Sequence, residues 1–181
     1  MRTEYSCKGL SQLIDSLKKD KLIGVEIGSY AGESAKAFID TGHIKTLICI
    51  DIWEIQDCGY GNTYNDIAVA EQRFDKMQAE SNGKIIKFKG TIDDFIASDL
   101  YKQFTGKIDF VYIDALHTYD GCKHDILQTM EFLKPLAAIA GHDYADSPAY
   151  LAGVKKAVNE IFEKPDVTFC DSSWIKYLNV I

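Results

Sequence analysis

Apolar residues along the chain fall into short runs that alternate with helical patterns. Seven runs are rich in β-branched and aromatic residues, and several are continuously apolar, as is typical of parallel strands covered on both faces. The runs lie at residues 22–27, 47–52, 85–88, 108–113, 137–140, 167–170 and 175–180. Between them, apolar positions recur with helical spacing at about residues 33–40, 66–80, 93–101, 120–133 and 149–162. This alternation predicts an α/β fold with a mostly parallel sheet.

The two ends of the chain depart from this alternation. Residues 10–19 repeat apolar positions with helical spacing, so we assign residues 1–21 to an N-terminal helical extension. Near the other end, the polar residues 171–173 are few enough to turn one strand directly back into the next. The last two strands are therefore expected to form an antiparallel pair that closes the sheet. Because no repeat or linker interrupts the pattern, we expect a single domain over residues 1–181.

The charge balance narrows the class of partner. The chain has 20 Lys and Arg against 27 Asp and Glu, a net charge of −7, so neither nucleic acid nor a membrane surface is expected as a partner. Its 5 cysteines show no C-x-x-C pair and fit neither a disulfide framework nor a zinc motif. Since the sequence also has no apolar leader, we expect a cytoplasmic protein.

The loop after the first predicted strand is the first candidate for ligand binding, because ligands of open α/β sheets bind at the carboxyl ends of strands. It begins at Glu26, and Gly28 and Gly32 allow a ligand to approach the backbone closely. Ser34 can cap the following helix or donate to an anionic group there. The spacing is not the G-x-G-x-x-G of dinucleotide folds, and the Glu26 carboxylate suits a cationic ligand. An ordinary strand–helix turn is the alternative.

Two later strand ends offer further ligand contacts. Asp51 closes the second strand, where an acid commonly accepts ribose hydroxyls. Trp53 follows it and could lie against an adenine face or pack in the core. Gly90 and Thr91 follow the third strand, either as a second approach to adenine or as a plain turn.

Taken together, these residues resemble a class I S-adenosylmethionine-dependent methyltransferase. The pattern Glu26-x-Gly28-x-Tyr30-x-Gly32-x-Ser34 is similar to the cofactor loop of catechol-type, metal-dependent O-methyltransferases. The stretches at 109–119, 133–135 and 141–144 look like those of small methyltransferases of the family 24 type, found in bacterial glycan and natural-product pathways. The resemblance spans about residues 22–178. It implies a Rossmann-like, doubly wound, mostly parallel seven-stranded sheet with an antiparallel C-terminal strand pair and helices on both faces.

The resemblance also implies S-adenosylmethionine as the cofactor. Glu26 would lie near the methionine amino group, Ser34 would reach the methionine carboxylate, and Asp51 would hold the ribose. The implied cofactor contacts are Glu26, Gly28, Ser29, Tyr30, Gly32, Ser34, Asp51, Ile52, Trp53, Gly90, Thr91 and Asp114. Glu33 departs from the family pattern by adding negative charge near the carboxylate, so we expect its side chain to point outward.

Acidic and imidazole side chains follow the fourth and fifth predicted strands. Asp114 ends one strand, and His142 and Asp143 end the next, so the three are expected to face one cleft that could hold a divalent cation. In the metal-dependent relatives the same places supply metal ligands, which leaves Mg²⁺ or Mn²⁺ open as a second cofactor. Imidazole suits Mn²⁺, Fe²⁺ or Zn²⁺ better than Mg²⁺, and His142 could instead support a ligand or act as a base. Loop capping by both acids is the alternative.

Asp114 and His117 are the candidate catalytic residues. The position of His117 resembles that of a general-base lysine in catechol-type enzymes. A histidine with the ordinary pKa of about 6.5 suits proton removal at neutral pH. The alternative is a structural histidine that holds its loop through Asp120 or Tyr119.

The sequence therefore predicts an S-adenosylmethionine-dependent methyltransferase that acts on a hydroxyl of a small molecule or sugar, with or without a divalent metal. The acceptor is expected to contact the polar segment 54–66, which includes Tyr60 and Tyr64, and residues 144–150. Two alternatives stay open: a nucleotide-binding, Rossmann-like oxidoreductase and a cofactor-binding module without catalysis. The sequence also leaves a homodimer open.

Overall fold

A computed structural model describes residues 4–54, 67–146 and 152–178. Strands within these residues are β1 (Leu22–Ile27), β2 (Ile44–Asp51), β3 (Ile85–Lys89), β4 (Phe110–Ile113), β5 (Ala138–Gly141), β6 (Val167–Thr168) and β7 (Trp174–Tyr177). They form one sheet in the order β3-β2-β1-β4-β5-β7-β6. The first five strands are parallel, whereas β7 is antiparallel to both β5 and β6. The expected fold class, with its antiparallel C-terminal pair, is confirmed.

Helices connect the strands on both sides of the sheet. Those in the described residues are α1 (Glu4–Ser16), α2 (Glu33–Asp40), α3 (Ile67–Glu80), α4 (Ile92–Ala97), α5 (Asp99–Phe104), α6 (Tyr119–Met130) and α7 (Ala152–Phe162). The single helix expected at 93–101 is wrong, because Ser98 has extended backbone angles and its side chain caps the start of α5. Apolar spacing alone did not reveal this break, since it continues through both short helices.

The sheet separates two apolar clusters, and β4 shows how alternation builds both. Phe110 and Tyr112 belong to the cluster under α1, α2 and α3. Val111 and Ile113 belong to the cluster under α4, α6 and α7. Phe38 of α2 packs edge-on against Phe110 and Tyr112, with ring centroids 6.0 and 5.0 Å apart. Because side chains alternate along a strand, a continuously apolar sequence serves both faces of the sheet.

The strand order places the chain's change of direction between β1 and β4. The chain builds β1, β2 and β3 outward in one direction and then returns to add β4 on the other side of β1. In register, Ile27 of β1 lies beside Ile50 of β2 and Ile113 of β4, so these three strands end together. Ligands of doubly wound sheets bind at such a switch point, beyond the carboxyl ends of the strands. The loops that follow β1, β2 and β4 are therefore the candidate site.

Candidate active site

The loops after β1 and β4 touch at Gly28. Its backbone N–H donates to Ile50 across 2.8 Å, and its φ of 89° lies in the left-handed region. A Cβ at this position would lie 2.2 Å from the backbone oxygen of Asp114. Only glycine fits both the backbone angle and the close approach. Gly28 therefore joins the predicted cofactor loop directly to the loop that begins with Asp114.

The Asp51 carboxylate holds two loops in place. One of its oxygens accepts the Tyr30 backbone N–H at 2.8 Å, and the other accepts the Trp53 backbone N–H at 2.8 Å. Tyr30 and Trp53 have φ values of 45° and 43°, which residues other than glycine rarely adopt. A carboxylate has about four lone-pair sites, so Asp51 can accept further hydrogen bonds while it keeps these two.

Glu26 lies on the sheet face that α2 covers, and it is fully buried. Its carboxylate accepts a hydrogen bond from the Ser34 hydroxyl, which is also buried. Cys49 lies beside Glu26 on the neighbouring strand, and burial together with the negative charge of Glu26 raises the pKa of its thiol well above the usual value. Because Ser34 gives its one proton to Glu26, its hydroxyl does not point that proton at a ligand in this structure.

The Trp53 ring faces the core. It is 3% exposed and packs against Phe74 at 4.8 Å between ring centroids, while its indole N–H donates to the Tyr30 carbonyl at 2.8 Å. The Lys87 ammonium lies 4.6 Å from the ring centroid. With its ring covered in this way, Trp53 offers no open face for adenine. Its structural contribution is to fix the loop after β2 to the loop after β1.

The remaining predicted cofactor residues line the same edge of the sheet. Gly90 donates its N–H to the Asp51 carbonyl at 2.9 Å, and Thr91 forms a capping box with Asp94 at the start of α4. Gly32 precedes α2, and its N–H donates to the Ser29 carbonyl at 2.8 Å. Ser29 is buried, Ile52 is half-buried, and Tyr30 is exposed. The structure thus gathers these residues around the ends of β1, β2 and β3, whereas Asp114 follows β4.

Asp114, His117 and Asp143 come together at the ends of β4 and β5. Each offers one ligand atom, and the three atoms lie within 4.8 Å of one another. His117 Nε2 is 3.0 Å from Asp143 Oδ2 and 3.5 Å from Asp114 Oδ1. The predicted third member, His142, instead places its Nδ1 2.9 Å from the other Asp143 oxygen. The sequence left Asp120 or Tyr119 open as the partner of His117. In the structure its partners are the carboxylates of Asp114 and Asp143.

The charges of this cluster depend on one another. Hydrogen bonds with Asp114 and Asp143 raise the pKa of His117 to about 10, although burial opposes the shift. Burial by itself would raise the pKa of Asp143, but hydrogen bonds from His117 and His142 outweigh it and hold that pKa well below its usual range. In this state His117 is an imidazolium at neutral pH and has no lone pair with which to accept a proton.

Comparison with known proteins identifies the family. Residues 25–144 match a family described as a methyltransferase domain. The chain belongs to this methyltransferase family. The match confirms the resemblance to class I S-adenosylmethionine-dependent methyltransferases seen in the sequence. No curated protein matches the methyltransferase by sequence.

Solved structures share the fold of this methyltransferase at low sequence identity. The O-methyltransferase TomG from Streptomyces achromogenes, involved in tomaymycin synthesis and solved with S-adenosylmethionine, is 14% identical, with a TM-score of 0.66 over 99% of this chain and 82% of its own. An O-methyltransferase from Bacillus cereus in complex with S-adenosylhomocysteine is 14% identical, with a TM-score of 0.60 over 97% of this chain and 80% of its own. Spermidine synthase from Thermotoga maritima is 13% identical, with a TM-score of 0.63 over 100% of this chain and 62% of its own. Fold alone therefore does not fix the reaction.

Two glycines that the sequence analysis did not single out pack against the loop that carries His117. A Cβ at Gly153 would lie 2.4 Å from the His117 carbonyl oxygen, and one at Gly121 would lie 2.6 Å from the Leu116 Cβ. Both glycines lie in the first turn of a helix, where glycine is less favourable than alanine by roughly 1 kcal/mol. Glycines at the starts of two predicted helices were therefore a feature of the sequence that could have indicated close packing there.

The segments expected to grip the acceptor lie largely outside the described residues. Residues 55–66, which include Tyr60 and Tyr64, and residues 147–151 are not among those the structure describes. Among the described helices of the methyltransferase, none has the length and apolar character needed to cross a membrane.

Proposed function

We propose that this methyltransferase uses S-adenosylmethionine to methylate a hydroxyl of a small molecule or sugar. The observation that carries the proposal is the contact between Gly28 and the Asp114 backbone. That contact places the predicted cofactor loop directly against the cluster of Asp114, His117 and Asp143. A methyl donor bound by the first loop would therefore lie next to groups able to orient a hydroxyl and increase its acidity.

Asp51 and Glu26 suit the two ends of the proposed cofactor. Asp51 keeps free lone pairs for ribose hydroxyls while it holds the N–H groups of Tyr30 and Trp53. Glu26 adds a buried negative charge beneath the glycine loop, which favours a ligand that carries an ammonium group and a sulfonium. When bound, S-adenosylmethionine supplies an electrophilic methyl group. The loop's part is to hold that group in place, and such positioning can contribute roughly 7–11 kcal/mol to a reaction of this kind.

Acceptor activation has two candidate routes, proton removal by His117 and a divalent metal, and the arrangement of donor atoms favours the metal. The donor set of Asp114, Asp143 and a nearby imidazole fits a divalent cation. A bound divalent cation would lower the pKa of the acceptor hydroxyl and orient it. The chain's part is to keep both carboxylates charged and close together.

Calorimetric titration with S-adenosylmethionine and with NAD tests the cofactor proposal. We expect wild-type protein to bind S-adenosylmethionine, and Asp51→Ala to weaken binding by roughly 100-fold, because two hydrogen bonds to a charged group are lost. Asp40→Ala is the matched control, since Asp40 is exposed and pairs with Lys36 on the surface of α2. Tight NAD binding with no response to S-adenosylmethionine would instead support the oxidoreductase alternative.

Release of S-adenosylhomocysteine tests the reaction. We expect release on at least one member of a panel of hydroxylated small molecules and sugars, and a chelator should abolish it. If chelation leaves the rate unchanged, the metal route is excluded. Cofactor binding without release on any acceptor would favour a binding module without catalysis.

A further inference from the structure

His117 differs from the other three histidines in what its ring faces. One nitrogen, Nε2, faces carboxylates from two different strand ends, those of Asp114 and Asp143. His124 Nε2 faces both oxygens of one carboxylate, that of Asp93. His43 contacts two carboxylates, but it does so through different ring nitrogens at an exposed site. The His117 arrangement is thus the one in which a single nitrogen and two separate carboxylates converge on one point.

We infer that His117 is the third protein ligand of the divalent cation in the proposed methyltransferase site, and that His142 is not a ligand. This inference rests on the metal route of the proposed function. A nitrogen ligand makes the site prefer a transition metal such as Mn²⁺ or Fe²⁺ to Mg²⁺, which favours oxygen. Family resemblance alone pointed to His142 as the third ligand, so the assignment to His117 comes from the geometry of this chain.

The spacing of the atoms supports this assignment. Two ligand atoms that each lie about 2.1 Å from one metal ion, at roughly 90–110° to each other, are separated by about 3.0–3.4 Å. The observed separations from His117 Nε2 are 3.0 Å to Asp143 Oδ2 and 3.5 Å to Asp114 Oδ1. His117 Nε2 and these two carboxylate oxygens would therefore need to move little to bind one metal ion. His142 does not join the convergent group of ligand atoms.

His142 has a different task in this arrangement. Its Nδ1 lies 2.9 Å from Asp143 Oδ1, the oxygen that does not face His117. A group that hydrogen-bonds the outer oxygen of a metal-binding carboxylate fixes the direction of the inner one. His142 is therefore a positioning residue. Its replacement should weaken metal binding without removing a nitrogen from the metal.

If Nε2 binds the cation, His117 has no lone pair left to remove the acceptor's proton. Its Nδ1 lies on the opposite side of the ring and cannot reach the same point. For His117, the role of base that the sequence suggested and the role of metal ligand are therefore mutually exclusive. Metal binding can be measured without S-adenosylmethionine or any acceptor, so the inference can be tested separately from turnover.

The test uses metal-free full-length protein, MnCl₂ and electron spin-echo spectroscopy, which detects nitrogen bound to Mn²⁺. We expect an imidazole nitrogen signal in the wild type, and calorimetry should show at least about 10-fold tighter binding of Mn²⁺ than of Mg²⁺. His117→Gln should lose the signal and lower Mn²⁺ affinity by more than the roughly 10–100-fold typical of a supporting residue. His142→Ala should keep the signal with an affinity loss inside that range. His124→Gln, the matched control, should change neither.

Several results would overturn the inference. They are a nitrogen signal that survives His117→Gln, a signal lost in His142→Ala, and wild-type protein that binds Mn²⁺ without any nitrogen signal. If His117→Gln fails to fold, the wild-type and His142→Ala spectra still test the inference, because both must show the nitrogen signal. If the wild type binds no Mn²⁺ but still binds S-adenosylmethionine, the metal inference fails and the proposed cofactor stands. If it binds Mn²⁺ through nitrogen but does not bind S-adenosylmethionine, the metal inference stands and the proposed cofactor fails.

Discussion

Replacing Gly28 by alanine tests whether the contact between the two loops positions the site. The added Cβ would lie 2.2 Å from the Asp114 oxygen, 2.6 Å from the Asp114 carbonyl carbon and 2.8 Å from the Ala115 Cα. All three are backbone atoms, so no side chain can rotate away to make room. Gly28→Ala must therefore push the loop that carries Asp114 and His117 away from the cofactor loop.

The cost has two parts that a control variant can separate. An alanine at a φ of 89° costs roughly 1–2 kcal/mol for the left-handed backbone alone. Forcing atoms into a packed site adds roughly 1–3 kcal/mol. Gly42 has a similar φ of 81°, and a Cβ there would meet nothing within 4 Å. Gly42→Ala therefore carries the backbone cost without the clash. Gly28→Ala should be less stable than Gly42→Ala by the cost of the clash.

Thermal unfolding and binding measurements check both parts. At about 2–4 °C per kcal/mol, we expect Gly42→Ala to melt a few degrees below the wild type and Gly28→Ala to melt lower still. Gly28→Ala should also lose affinity for S-adenosylmethionine and Mn²⁺, whereas Gly42→Ala should keep both. If the two variants melt together and both bind as the wild type does, the contact does not position the site.

Two further predictions concern the stability of the fold and the support of the His117 loop. Asp109 is buried, and although burial would raise its pKa, a hydrogen bond from the Ile23 N–H and ion pairs with Lys134 and Lys19 hold it below its usual value. This stabilisation exists above the unfolded pKa of about 3.9 and is lost as pH falls through the folded value, so Asp109→Asn should unfold more easily at pH 7 and converge with the wild type in acid. A gap that stays constant down to pH 2 in unfolding titrations would contradict this. Gly153→Ala should weaken Mn²⁺ binding, because its Cβ would displace the His117 carbonyl; unchanged affinity in calorimetry would show that the loop adapts.

Much of the fold follows from local pattern. Continuous apolar runs identify parallel strands because each must fill a cluster on both sides, as residues 110–113 do. Strand order does not follow from such runs, but the rule that ligands bind at carboxyl ends places Asp51 and Asp114 at one edge whichever order is adopted. That rule is why the candidate residues could be expected at one edge from the sequence alone.

The directions of individual side chains were not predictable in the same way. Asp143 has a φ of 60°, so the backbone takes a left-handed conformation at the second residue after β5. The sequence of residues 141–144 does not reveal this left-handed conformation, because aspartate tolerates it but does not require it. The same holds for Trp53, whose φ of 43° accompanies a ring packed into the core. The positions of Asp143 and of the Trp53 ring therefore depend on backbone angles that propensity does not specify.

Left-handed residues at the site point to a second role for Asp51. Tyr30 and Trp53 each hold a conformation that costs roughly 1–3 kcal/mol, and such conformations persist only where surrounding contacts enforce them. The Asp51 carboxylate enforces both, because each oxygen accepts the N–H of one of these residues. The loops are therefore set before any ribose binds. It follows that Asp51→Ala should lower the melting temperature of the free protein as well as its affinity for S-adenosylmethionine, and a variant that loses affinity alone would show that the loops do not need Asp51.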